Sequence, residues 1–541
     1  MQEARSGKLG RIGFWAIALT VFMVAYNVGV LPAIMPAIAR DFNTSIGNIQ
    51  NTLVLFSLTT AAFAPSAENL CRFFGRTPIF LAGLVFYGLG IGLTALSPTM
   101  GILAVSFAVL TGLAATPLVS TPWTIIDLSY EGKSAEKATV VLIVASAAGG
   151  LTGGILGGFI AFHSSWRFSF LPSLVVLLGV WFLKRSLPRL VVYYKQPMDW
   201  VGGLLSFLGL GSILTAFSLA EEFGWWEPKR IFTIGAWVIP PFPLSIAPTL
   251  IAVGVILLGF FLFWQRRQAR RDKVSLLRAG LLRKPGFVLA TFTAMLHTLI
   301  VTGVQFNLFQ YVPVALSLNP FRTSLAIMPY SATMIVVVVA VLRFLVLGDR
   351  YTPKFVIYSG IVLLGVGILL LYHSLDLQVT VIALIPGLML MGIGSGLFLA
   401  YISKLAYAAV TEDQKPEGSG IYNPVQNLGS SLGRGILGTA LIFFASSDIV
   451  DGILKTFGKT LDPIDRALLI NELQEKLQTL SQQELSQAMA NRLSPQAMAM
   501  LQPISLEAAT SGMKTSLLMA LMFAAVCFLL ATTLPRNASR P

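Results

Sequence analysis

The chain is predicted to be an all-α polytopic membrane protein, and three observations predict it. Of its 541 residues, 55% are hydrophobic and only 11% charged, whereas soluble domains carry about 25% charged residues. Apolar runs long enough to cross a hydrocarbon core, which takes about 20 helical residues, recur from one end to the other. They are too long for barrel strands and lack strand alternation, so an outer-membrane barrel is excluded.

The runs follow in order. The first, residues 12 to 35, is flanked by Arg5, Lys8 and Arg11. It is too long for a signal-peptide core and no small-residue cleavage pattern closes it, so it is read as a retained span. Runs at 49 to 69, 78 to 96, 101 to 125, 138 to 161 and 168 to 184 complete a group of six. A pair follows at 200 to 220 and 246 to 264, and then six more at 286 to 312, 323 to 347, 354 to 372, 379 to 402, 419 to 445 and 513 to 533. The expected organisation is fourteen spans: a six-helix bundle over residues 1–185, two inserted helices with a basic linker over 186–285, and a second six-helix bundle over 286–541.

The net charge of +14 does not point to nucleic acid, because the basic residues are distributed by loop. Arg72 and Arg76 follow the second run, Lys184, Arg185, Arg189 and Lys195 the sixth, and the series from Arg266 to Lys284 the eighth, while alternate loops carry few. The positive-inside rule then puts both termini in the cytoplasm of an inner or plasma membrane, with Cys71 in a cytoplasmic loop. Residues 446–512 are polar and helix-prone and are expected on the opposite side, where Leu468, Leu469, Leu473 and Leu477 form an amphipathic cap or a docking place for an extracytoplasmic partner. The remaining expected partners are the lipid bilayer and a small-molecule solute, for a monomeric protein. Two cysteines make no disulfide framework. No metal-ligand spacing and no Gly-Lys-Ser/Thr phosphate loop occur, so no cofactor and no enzymatic activity are expected.

Six-plus-six organisation leaves internal repetition. ENLCRFFGR, Glu68 to Arg76, follows the second run, and LGDRYTPK, Leu347 to Lys354, follows the tenth. The fifth run contains VASAAGGLTGGILGGF, in which Gly149, Gly153 and Gly157 share one helical face and Gly154 and Gly158 lie beside them. Each glycine costs a helix up to ~1 kcal/mol relative to alanine, so the strip needs a packing reason: close approach of a neighbour, read here as a low-relief sliding surface.

These motifs resemble the major facilitator superfamily, and within it the fourteen-helix drug:proton antiporter branch. The family's loop signature runs Gly, any, Leu, any, Asp, Arg, any, Gly, Arg. Leu70, Gly75 and Arg76 match it, while Glu68 replaces the first Gly, Arg72 the Asp and Phe73 the Arg; the second copy keeps Leu347, Asp349 and Arg350. The resemblance implies that Glu68, Arg72, Arg76, Asp349 and Arg350 clasp helix ends in one state of an alternating-access cycle. The branch's helix-five signature is met by the glycines with only its proline missing. WRFSFLP, MDWVGGLL, FRTSLAIMP and EGSGIYNPVQNLGSSLG resemble further branch segments and spread across both halves and the insertion. The implied fold is two six-helix bundles plus two inserted helices.

Two departures bear on mechanism. The acidic residue usual in the branch's first helix aligns with Asn27, and the helix-four arginine with Ala108. An amide cannot cycle a proton, so coupling is either absent or moved to His297 or Asp127. The polar groups left inside the spans are substrate-binding candidates: Asn27, then Gln305, Asn307, Gln310 and Tyr311 in the ninth run, and Asn423, Gln426 and Asn427 in the thirteenth, with Arg434 deeper. Buried polar groups in lipid must be paired or face a cavity. The expected function is transport of a small organic solute by alternating access, export of amphipathic compounds by resemblance. An amide-rich interior without carboxylates also suits neutral hydroxylated solutes such as sugars, and a non-transporting scaffold or sensor is the reading from another class.

Overall fold

A computed structural model of the protein describes residues 9–44, 46–130, 133–187, 199–223, 226, 233–234, 237–238, 244–271, 281, 283–341, 352–408, 410–411, 415–456, 458, 460–479 and 495–534. Asp349 and Arg350 lie outside the described residues, as do the side chains of Arg72, Asp127, Asn423 and Leu477.

The apolar runs fall on helices. In the first part these are α1 (Arg11–Asp41), α2 (Ile46–Phe74), α3 (Arg76–Ala95), α4 (Met100–Ala104), continued through a π-helical segment, Val105–Thr111, into α5 (Gly112–Ser129), then α6 (Lys133–His163) and α7 (Leu171–Phe182). The middle pair is α8 (Trp200–Phe223) and α9 (Ile246–Ala269). The last part comprises α10 (Pro285–Leu316), α11 (Pro320–Ala340), α12 (Pro353–Ser374), α13 (Val381–Ala408), α14 (Lys415–Thr456), α15 (Pro463–Thr479) and α16 (Pro495–Thr532). Among the described residues, twelve helices are long and apolar enough to cross a membrane. α2 and α8 fall outside that set: α2 carries Asn51, Thr52, Ser57, Thr59 and Thr60, and α8 counts as a shorter apolar helix over Trp200–Ile213.

Large apolar side chains are exposed as well as buried. Phe86, Leu89 and Leu93 of α3, Leu178 and Phe182 of α7, and Val255, Phe260 and Phe263 of α9 are exposed, as side chains that face lipid should be. Two large cores lie inside. One joins α1 to α7 around Phe80, Tyr87, Phe107 and Phe170; the other joins α10 to α16 around Phe287, Leu364, Met391 and Phe398.

Three sequence expectations are corrected. Cys71 is not in a loop: α2 runs to Phe74, and the thiol is buried 3.9 Å from Thr121 Oγ1. Residues 446–512 are not one polar interruption, because both flanking helices extend into it. Val450 of α14 is buried, and Gly452 lets α16 approach so closely that a Cβ there would sit 2.7 Å from Ile504 Cγ2. In the remaining segment α15 packs on α14 and α2 through Ile470 and Gln474, whereas Leu468 and Leu469 are exposed, so the expected cap face is not the packed one. Arg466 fixes α15 instead, by a forked pair with Asp451 at 2.6 and 2.7 Å and a bond to Ser447 Oγ at 2.9 Å. The sequence also gave no sign of a short antiparallel hairpin between α8 and α9, pairing Thr233 with Val238 and Ile234 with Trp237.

The glycine strip acquires its partner here. A Cβ on Gly149 would overlap the Phe22 carbonyl oxygen, one on Gly153 the Tyr26 carbonyl oxygen, and Gly157 rests on Val30, so α6 lies backbone to backbone on α1. From the α1 side, Gly29 is in the same contact with Gly150. The second core repeats the arrangement: Gly429 and Gly433 of α14 abut the Met295 and Leu299 carbonyls of α10, and Gly303 abuts Gly433. Each strip therefore brings two helices of one core into close backbone contact, a seam.

Candidate functional site

Between the two cores lies a cavity of about 470 Å³. Helical periodicity decides what each wall offers. From α2 come Leu53, Ser57 and Thr60, and from α14 Asn427, Ser430 and Arg434, each set spaced to share a face. α10 supplies Thr302 and Gln305, α11 Ser324 and Tyr330, and α5 Trp123. The wall from α6 comes from Ser146, Ala147, Gly150, Leu151 and Gly154, so one glycine-rich helix both packs on α1 and borders the cavity.

The sequence-selected residues separate. Gln305 and Asn427 line the cavity; Asn27, Asn307, Gln310, Tyr311 and Gln426 do not. Asn27 is fully buried in the first core, its Nδ2 donating to Tyr87 Oη at 3.0 Å and the Met23 carbonyl at 3.3 Å, with Oδ1 unpartnered. Asn307 Nδ2 donates to the Leu437 carbonyl at 2.8 Å and Ser516 Oγ at 2.6 Å, and Tyr311 Oη meets Thr510 Oγ1 at 3.2 Å. Those two residues, one turn apart, tie α10 to α14 and α16. Gln310 leaves a buried Nε2 unpartnered. His297 is buried against Phe398, ring centroids 4.2 Å apart and nearly parallel, with Nε2 3.2 Å from Ser395 Oγ.

The charged signature is partly assembled. Gly75 turns the chain between α2 and α3 at φ 92°, a conformation that favours glycine. The turn brings Arg76 back onto Glu68 in a buried fork, 3.0 Å at Nη1 and 2.5 Å at Nη2. Asp199 of MDWVGGLL caps α8 and accepts from Gly202 N at 2.8 Å, Trp264 Nε1 at 2.8 Å and Gln265 Nε2 at 2.7 Å, while Asn69 Nδ2 donates to its carbonyl at 3.1 Å. The inserted pair is thereby docked on α2. In WRFSFLP, Trp166 Nε1 and Arg167 Nη1 both donate to Asp41, at 3.0 and 2.6 Å, and Arg167 Nη2 reaches the Ser97 carbonyl at 3.1 Å, tying the ends of α1, α3 and α7.

Sequence reading missed Ser57, Trp123 and the cavity position of Arg434. Arg434 Nη1 donates to Ser57 Oγ at 2.7 Å and to the Leu53 carbonyl at 3.4 Å, a bond from one core to the other. The available signal was the seven-residue interval from Asn427, which returns Arg434 to the same helical face.

A profile of the Major Facilitator Superfamily matches residues 17–434. The chain belongs to the major facilitator superfamily. Sequence relatives include the "Probable actinorhodin transporter" of Streptomyces coelicolor, 26% identical, with 78% of this chain and 72% of that protein covered. The "Multidrug resistance protein Stp" of Mycobacterium tuberculosis is 25% identical, covering 84% and 79%, and the "Multidrug efflux pump LfrA" of Mycolicibacterium smegmatis 25%, covering 80% and 81%. Among solved structures, a bacterial homologue of the human lysosomal transporter Spinster, inward-facing and occupied, superposes with a TM-score of 0.55 at 16% identity over 96% of this chain and 95% of that one. At that identity the likeness shows the fold alone. As a major facilitator member, this protein is a membrane transporter, and the resemblance of its motifs to the drug:proton antiporter branch agrees with the relatives it matches.

Proposed function

We propose that the protein exports amphipathic organic solutes by alternating access, binding them in the cavity between the two cores. The observation that carries this reading is the cavity itself, walled from both cores by apolar and aromatic side chains with a few hydroxyl and amide groups. The names of the relatives, an efflux pump and a multidrug resistance protein among them, support the outward direction. On this reading α2 and α8 also cross the membrane, giving fourteen spans. Residues 1–185 and 286–541 then act as the two bundles, 186–285 as the inserted pair, and both termini are cytoplasmic. Gln305 and Asn427 contact solute, while Asn27, Asn307 and Tyr311 hold helices together. Glu68 and Arg76 belong to the cytoplasmic gate. The hydroxyls of Ser57, Thr60 and Ser430 favour, as a second reading, neutral hydroxylated solutes.

Proton coupling by an acid in the cavity is not part of this proposal, because no carboxylate lines it among the described residues. In proteoliposomes, a panel of amphipathic dyes should cross down its own gradient, and an imposed pH gradient at clamped membrane potential should add little uphill transport. Strong pH-driven accumulation would overturn the uncoupled mechanism, and no flux for any dye would overturn the transporter reading.

Orientation has its own test. With the termini inside, the connection before α15 lies outside, and Asp462 there is exposed. Asp462→Cys should react with an impermeant maleimide in intact cells; reaction only after permeabilisation would reverse the topology.

A further inference from the structure

We propose that the transported solute is an organic anion and that Arg434 binds its acidic group. This rests on the reading that the cavity is the solute site. Arg434 is only 7% exposed, yet it lines the cavity. Its hydrogen bonds to Ser57 and Leu53 both leave from Nη1, so Nε and Nη2 make no bond to the protein. No carboxylate among the described residues pairs with it. Among the described residues every other cavity-facing side chain, from α1, α2, α5, α6, α10, α11 and α14, is apolar, hydroxyl or amide, which leaves the guanidinium as the cavity's sole fixed charge.

A guanidinium kept at this depth without a counter-ion is costly, and groups of this kind are retained where they meet a partner. The free edge of the fork offers two N–H groups in the geometry that a carboxylate or sulfonate accepts bidentately. Ser430, one turn before Arg434, and Ser57, bonded to Nη1, add hydroxyls to the same cavity, and Trp123 offers an aromatic wall to an apolar body. An anion also has a driving force that needs no coupling acid, since an inside-negative membrane potential expels it. Absence of an acid and presence of the arginine are thus one design.

The test uses the purified full chain in neutral detergent and three probes of nearly equal shape: naphthylacetate, naphthylacetamide and naphthylethylamine, with binding read from the shift in melting midpoint. Naphthylacetate should bind about tenfold or more tightly than the amide, the scale of a charge-assisted bond, and the amine should bind weakest. Arg434→Gln should bring anion and amide to equal affinity while still binding the amide, and Arg434→Lys should keep part of the preference. Equal affinities in the wild type, or a preference that survives Arg434→Gln, would overturn the proposal; if Arg434→Gln does not fold, an unchanged preference in Arg434→Lys together with displacement of naphthylacetate by phosphatidylglycerol would do so, assigning the guanidinium to a lipid headgroup. Binding of the amide without discrimination leaves the cavity as solute site and removes only the anion. Failure of all three probes to bind removes both.

Discussion

Gly153→Ala will lower the melting midpoint of the protein and reduce its folded yield, whereas Gly150→Ala, three residues away on the same helix, will not. The added methyl at Gly153 would overlap the carbonyl oxygen of Tyr26, which is backbone and cannot rotate aside. Tyr26 is itself pinned, because its side chain is buried and its hydroxyl donates to the Ser169 carbonyl at 3.0 Å. α1 and α6 must therefore separate. Overpacking of this kind costs about 1–3 kcal/mol and occasionally more, against ~1 kcal/mol recovered from alanine's better helix propensity. At Gly150 the nearest heavy atom to the new Cβ is the Ala25 carbonyl oxygen at 4.0 Å, so only the propensity gain remains. Leucine at 153 extends the overlap and should abolish transport. Equal melting midpoints for the two alanine variants would show that the seam is not close-packed.

Removing one side of the fork between Glu68 and Arg76 should be the most damaging single change at the junction of α2 and α3. Both side chains are more than nine-tenths buried. Arg76→Ala removes the forked pair from Glu68, and breaking a buried pair from one side costs about 3–5 kcal/mol. Replacing both partners by glutamine removes both charges together and should recover most of that loss, as deletion of a whole buried pair is often nearly neutral. A double-mutant cycle read by chemical denaturation checks it. A double variant as unstable as Arg76→Ala would mean that the pair itself, rather than the imbalance left by removing one partner, carries the energy. Transport by the refolded double variant then reports separately on the gate.

Twelve of the fourteen expected spans, and their order, were legible because about 20 apolar residues in succession leave few alternatives. The glycine strip was legible as a close-packing surface, though not its partner. What the chain concealed was the rotation of each helix. A soluble helix announces its inner face by a polar outer one, but a span is apolar all round, so lipid and core look alike in sequence. Asn307 and Gln305, two residues apart, could not be sorted, and the structure sends one toward Ser516 and the other into the cavity. Arg434 was visible as a deep base, but its meaning depends on Ser57, 377 positions earlier. The end of α14 was placed too early because Ser446, Ser447, Asp448 and Asp451 read as polar surface, whereas Asp451 is held by Arg466 and the helix continues beside α16.

The two glycine seams have a consequence for how such a protein can change over generations. Each seam joins helices through main-chain atoms, which every sequence possesses, and asks of the side chains only that a few be missing. Positions that shape the cavity, such as Ser57, Gln305 and Ser430, stand apart from those contacts. A randomised library confined to them should remain mostly folded and vary in cargo, while a library of equal size along Gly149, Gly153, Gly429 and Gly433 should be mostly lost. New selectivity can therefore arise by point drift on a scaffold whose inheritance is conservative.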